Sequence, residues 1–260
     1  MLFRVHYLLH VSMSLTERKY SPGGTNENIF HIWKDIFHNI KSSHSLGFRL
    51  ASKNISSRYR QSIFGILWAF FPSLISSAIW ILLNSLGIVR FSNSSQLPYT
   101  VFIIVSITMW QIFSTSVLST LTSVAANKSI LTKINFHREA ILISAFYEII
   151  FSTIIGLIII SLVMLTSGYF SLTSILSILP LILLLVVFGM SISLFILPFY
   201  ILFKDIQYFL PTILQFLMYL TPVIYPKPII NYFSWIFTYN PVGVIITNVR
   251  AILAIQHVYI

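Results

Sequence analysis

The chain has 260 residues, 57% hydrophobic and 8% charged, with a mean hydropathy of +0.87. So small a charged fraction, against about 25% in soluble domains, excludes a water-soluble enzyme, and so large an apolar fraction excludes a disordered chain. The net charge of +10, from 16 Lys+Arg against 6 Asp+Glu, belongs to a polytopic membrane protein, and the absence of Cys removes disulfides, thiolate metal sites and thiol nucleophiles.

Met1–Val11 is apolar but runs into Thr16-Glu-Arg-Lys19 without a small-residue cleavage site, so it does not read as a signal peptide. Met13 offers an alternative start, with residues 1–12 as an extension, and Ser21-Pro-Gly-Gly-Thr25 reads as a break. Ile29–Ile40 and His44–Arg60 are two amphipathic segments. The first would set Phe30, Trp33 and Phe37 in the headgroup layer with Lys34 and Lys41 in water. The expected organisation is a cytoplasmic N-terminal segment, 1–60, carrying these interface helices, followed by a transmembrane domain, 61–260.

A crossing helix needs about 20 mostly apolar residues. Five stretches qualify, near 63–89, 101–125, 140–166, 172–203 and 206–223. The fourth holds Pro180 and Pro198, and the fifth Pro211. Thr221-Pro-Val-Ile-Tyr-Pro-Lys-Pro228 cannot be continuous helix. A re-entrant or interfacial segment is expected near 225–240, and Asn240-Pro241 breaks the chain before one more element. Thirteen of the Lys and Arg residues fall before span one, between spans two and three, or between spans four and five, which makes those segments and the N-terminus cytoplasmic. The expected fold is an all-α, polytopic membrane helical bundle.

No P-loop pattern is present, so the chain would bind no ATP, and its seven scattered His form no metal set. No cofactor, enzymatic carboxylate pair, or nucleic-acid partner is expected. Glu148 is a lone acid inside span three, a candidate for gating, for holding a subunit interface, or simply for hydrogen bonding across the bundle. Trp68, Trp110, Phe113, Tyr219 and Tyr225 are candidate aromatic surfaces on which sugar rings could slide, or else belt and packing residues. Thr115, Ser119 and Ser123 recur at four-residue spacing, fit for close helix approach.

Arg58-Tyr-Arg-Gln-Ser-Ile-Phe-Gly-Ile-Leu-Trp68 with Pro72 resembles the membrane subunit of ABC-2 type exporters for O-antigen, capsule and teichoic-acid polysaccharides. Further stretches agree in order: Leu97-Pro-Tyr-Thr-Val-Phe102 with Trp110-Gln-Ile-Phe113, the loop Asn127–Glu139, Phe203-Lys-Asp-Ile206, Thr221–Pro226, and Asn240-Pro241 through Arg250. The resemblance covers about residues 14–255, with His137 where the family usually has Pro. It implies a homodimeric pore in the cytoplasmic (inner) membrane, an ABC ATPase partner that uses the ATP, and an undecaprenyl-diphosphate-linked glycan as cargo. Arg58, Tyr59 and Arg60 then become headgroup candidates at the substrate entry. Lys128, Lys133, Phe136, Arg138 and Glu139 become candidates for the ATPase-coupling loop. The family has six spans where this chain shows five, so a truncated copy is one expectation. A drug or small-lipid exporter of the same superfamily and a non-transporting remnant are the other readings.

Overall fold

The computed structural model describes residues 29–60, 62–88, 97–127, 139–225 and 239–255, and every regular element among them is helical. The chain divides into a compact unit Met1–His38 and a second, Asn39–Ile260, which holds the candidate site described below. Seven α-helices follow in order: α1 (Ile29–Tyr59), α2 (Phe71–Ser85), α3 (Tyr99–Ala126), α4 (Glu139–Thr166), α5 (Leu172–Leu202), α6 (Asp205–Leu220) and α7 (Pro241–Ile255). A 3₁₀ turn, Gly65–Ala69, precedes α2.

The centre is α3. It buries 19 residues around its whole circumference, among them Val101, Ile103, Val105, Met109, Val117 and Leu121. A helix buried by its neighbours on all sides is a core helix, and α3 packs against α2, α4, α5 and α7. Several of its hydroxyls bond back to their own helix: Ser106 donates to the Phe102 carbonyl at 2.7 Å and Ser116 to that of Ile112 at 2.8 Å. Such back-bonding lets hydroxyls sit in hydrocarbon without unpaired donors. Outside this core, α4 and α5 turn Ile154, Ile158, Leu162, Leu176, Leu183 and Phe195 outward. That is a large aliphatic patch, stable against lipid and not against water.

Glycines set the helix spacing. A Cβ at Gly189 of α5 would stand 2.7 Å from Cβ of Ser116 and 3.2 Å from the Phe113 carbonyl oxygen, so the α3 and α5 backbones meet there. At Gly156 of α4 the nearest atom is only the Cδ1 tip of Ile112, at 2.9 Å. The α4–α5 connection turns on Gly168, φ +75°, with Tyr169 N–H donating to the Met164 carbonyl and Gly168 N–H to that of Leu165. These are the two bonds of a Schellman cap, which needs a residue comfortable at positive φ.

The bounds of α3, α4 and α5 match the expected spans two to four, and these three helices are long and apolar enough to cross a membrane. The other expected spans are shorter than their hydropathy suggests. Span one divides into the 3₁₀ turn and the 15-residue α2, because Gly65 takes φ +50° and Pro72 stands in the first turn of α2, where its missing N–H costs nothing. Span five is the 16-residue α6, since Pro222 stands just past its C-cap Thr221. The two expected amphipathic segments are one continuous helix, α1. The expected re-entrant segment lies largely outside the described residues. The element expected after it is α7, capped by Asn240, whose side-chain oxygen accepts from the N–H groups of Val242 and Gly243, with Pro241 at the first helical position.

Gly189→Ala should destabilise the protein by about 1–3 kcal/mol, because a backbone carbonyl cannot yield, whereas Gly156→Ala should cost about 1 kcal/mol or less, because Ile112 can rotate. Thermal unfolding of the two variants in one detergent gives the order.

Candidate functional site

The second half of α1 lies against α4 along a stripe of small residues. Ser43, Gly47 and Ala51 are buried, while Arg49 and Lys53 face out. A Cβ at Gly47 would meet the Ile143 side chain at 2.6 Å and the Ala140 carbonyl at 3.0 Å, so this is a close, small-residue contact. Around it His44 hydrogen-bonds Tyr147, and Phe48 meets the Tyr147 ring edge-on with centroids 5.4 Å apart.

One turn further, the stripe ends on Glu148. This carboxylate is 3% exposed. Its Oε1 accepts from Asn54 Nδ2 at 2.8 Å and from Ser123 Oγ at 3.1 Å, and its Oε2 accepts from Arg58 Nη2 at 3.2 Å. Three helices, α1, α3 and α4, are thus tied at one acid. A buried carboxylate is tolerated only with a cation and hydrogen bonds of this kind. Glu148 thus hydrogen-bonds across the bundle. Ser119 and Ser123 of the expected small-residue stripe are buried, and Ser123 serves the acid.

Arg58 itself is half exposed and spends one nitrogen on Glu148. Its outer face opens on a cavity of about 170 Å³ that it lines together with Tyr59, Trp68, Ser73, Thr108, Gln111, Thr115 and Ser152. On α4 the lining continues from Ser152 to Ile159, so the cavity reaches roughly 16 Å beyond the level of Glu148 at 1.5 Å per residue. A larger groove, about 550 Å³, lies between α4 and α5, but aliphatic side chains and Phe146 line it. Its one hydroxyl, Thr153, already donates to the Ile149 carbonyl, so the groove suits lipid chains and not a charged group.

A second polar feature sits at the other end of α3. Arg250 of α7 is buried, its guanidinium 4.2 Å from the centre of the Phe102 ring, with Nη1 on Ser106 Oγ at 3.4 Å and Nη2 on Thr247 Oγ1 at 3.1 Å. Ser106 and Ser123 are 17 residues apart on α3, so Arg250 stands roughly 25 Å from the Glu148 level at 1.5 Å per residue. Among the described residues no carboxylate pairs with it; an aromatic face and two hydroxyls hold the charge.

The remaining sequence candidates fall in different places. Tyr59 meets Phe151 with centroids 6.2 Å apart, and Arg60 is exposed beyond the helix end. Trp68 stacks loosely on Phe71, centroids 5.0 Å apart, and is half exposed beside the cavity. Trp110 and Phe113 are core residues within the chain, Phe113 lying parallel to Phe188 at 6.1 Å. Tyr219 is exposed next to Trp80, and the Tyr225 hydroxyl donates to the Tyr219 carbonyl at 2.9 Å. Lys128, Lys133, Phe136 and Arg138 lie outside the described residues, and Glu139 opens α4. Sequence reading passed over Asn54, although it lies one turn from Arg58, and Gln111, a lone amide in a buried apolar helix.

The sequence profile of the ABC-2 type transporters matches residues 47–254, four-fifths of the chain. The chain belongs to that family. It is therefore a multi-pass membrane permease of the ABC transporters, and its relatives are permease subunits rather than enzymes. Two curated proteins named O-antigen export system permease protein RfbA, both from Klebsiella pneumoniae, are 29% identical to it over 223 and 220 residues, covering 81% of this chain and 83% of each relative. One of the same name from Myxococcus xanthus is 23% identical over 206 residues, 78% of either chain. The matched region of this ABC-2 permease begins within α1, at Gly47, so it takes in Gly47 and Ala51 of the small-residue stripe, the Glu148 cluster and the cavity together.

Arg58→Ala should destabilise this permease by about 3 kcal/mol, since it leaves a buried carboxylate without its cation. Glu148→Gln keeps the shape and an acceptor, and should cost nearer 1 kcal/mol. In the Arg58→Ala background, Glu148→Gln should raise the melting temperature, and thermal unfolding of the four forms checks it.

Proposed function

We propose that this permease exports a lipid-linked polysaccharide of O-antigen, capsule or teichoic-acid type across the cytoplasmic membrane. Two copies form the path, and a separate ABC ATPase supplies the energy. The observation that carries this reading is Arg58. A guanidinium at the end of an amphipathic helix, on the side where Lys and Arg concentrate, gives one nitrogen to Glu148 and, among the described residues, keeps its other donors free beside a polar cavity. That is what a lipid diphosphate arriving at headgroup depth requires, because phosphate takes Arg bidentately. The O-antigen names of the relatives support the same cargo class.

In this scheme the N-terminus is cytoplasmic, and the carrier is an undecaprenyl-diphosphate-linked glycan. Tyr59 and Arg60 stand beside Arg58 at the entry. The loop with Lys128, Lys133, Phe136, Arg138 and Glu139 meets the ATPase, which uses the ATP; this chain binds no cofactor. Trp68, Tyr219 and Tyr225 offer aromatic faces to the passing sugar. Trp110 and Phe113 shape the path only through α3.

Expression in a permease-null strain with the cognate ATPase should restore surface glycan and leave drug sensitivity unaltered. Restored drug resistance without glycan would make it a drug exporter instead. Arg60→Ala should lower export while the ATPase still copurifies, and Arg138→Glu should lower copurification itself. Equal loss of export and copurification in Arg60→Ala would count against an entry role.

A further inference from the structure

We propose that the cavity beside Arg58 is a saccharide-phosphate subsite, in which Arg58 takes a phosphate and Trp68, Thr108, Gln111 and Thr115 take the sugar ring bonded to it. The inference rests on the export reading and deepens it. Thr108, Gln111 and Thr115 recur at three- and four-residue spacing, so they form one polar face of α3. Gln111 is exposed although its neighbours Trp110 and Ile112 are only 5% and 3% exposed, so its amide opens into the cavity from the middle of a buried helix. A polar side chain at that depth is expensive unless something polar meets it. Thr108, 1% exposed, lines the same cavity, and its buried hydroxyl has no hydrogen-bond partner among the described residues.

The groups are of the kinds a pyranose needs. Amide and hydroxyls both donate and accept, as sugar hydroxyls do. The half-exposed indole of Trp68 offers a flat apolar surface to the C–H face of a ring. The volume, about 170 Å³, admits roughly five waters at ~30 Å³ each, or one ring in their place. Glu148 engages a single nitrogen of Arg58, which leaves the other N–H groups of this cavity-lining guanidinium to meet a phosphate on the anomeric oxygen.

The test uses the full chain in nanodiscs and two probes, a lipid diphosphate bearing one hexose and the same lipid diphosphate without it. The glycosylated probe should bind more tightly to the wild type. Gln111→Leu and Trp68→Leu should each weaken it about tenfold, the scale of one or two lost hydrogen bonds or an equivalent contact, until the probes bind alike. Arg58→Ala should weaken both probes. Trp68 stands on an exposed turn, so that variant remains informative if Gln111→Leu fails to fold. The proposal is overturned if both variants keep the sugar-dependent difference, or if the wild type never shows one because the cavity holds only water. If the wild type exports glycan in the null strain while either result holds, the subsite falls alone; if it exports nothing, the export reading falls and the subsite with it.

Discussion

The Glu148 carboxylate is where the arrangement of the permease is decided. Three donors from two other helices converge on it, and none could be lost without leaving charge or polarity uncompensated in a low-dielectric setting. The close seat at Gly47 brings α1 near enough for Asn54 and Arg58 to reach the acid. The acid in turn fixes how α1 ends, and therefore where the chain turns into Gly65–Ala69 and α2. The cavity walls come from the elements that this knot gathers: the end of α1, the 3₁₀ turn, α2, α3 and α4.

The two buried ionic features of the bundle are solved differently. Glu148 is satisfied by opposite charge and hydrogen bonds. Arg250 is satisfied by a ring face and two hydroxyls that are themselves back-bonded to their own helix. The sequence makes this asymmetry unavoidable. Its six acids are Glu17, Glu27, Asp35, Glu139, Glu148 and Asp205, and none follows α6 or falls in the first half of α3. A cation near Phe102 has no carboxylate within reach along the chain, so the guanidinium, planar and weakly hydrated, suits the position where an ammonium would not.

What the sequence showed was whatever depends on a short window. Hydropathy placed α3, α4 and α5 to within about two residues, the amphipathic spacing found α1, and isolation in an apolar run singled out Glu148. The pairing of Arg58 with Glu148 was not legible, although both had been marked, because 90 residues separate them and no periodicity carries that distance. The stripe Ser43, Gly47, Ala51 was readable as small residues four apart, but in a helix rich in charge it looks like an interfacial anchor. Nor did hydropathy tell that α3 is central, since lipid and protein interior are equally apolar; its hydroxyl content was the only hint. The shortness of α2 came from Gly65 and Pro72, whose backbone demands outweigh an unbroken apolar run.

The glycine seats have a mechanical meaning. Gly189 seats α5 against the Phe113 carbonyl, a backbone contact that cannot yield, while Gly156 seats α4 on the Ile112 side chain. The trio α3–α4–α5 is thereby a chassis. By contrast α6 buries only Leu210 and Leu214 and exposes Tyr208, Phe209 and Phe216, so it is moored at two points. Among the described helices, α6 is therefore held to the bundle by little more than two side chains.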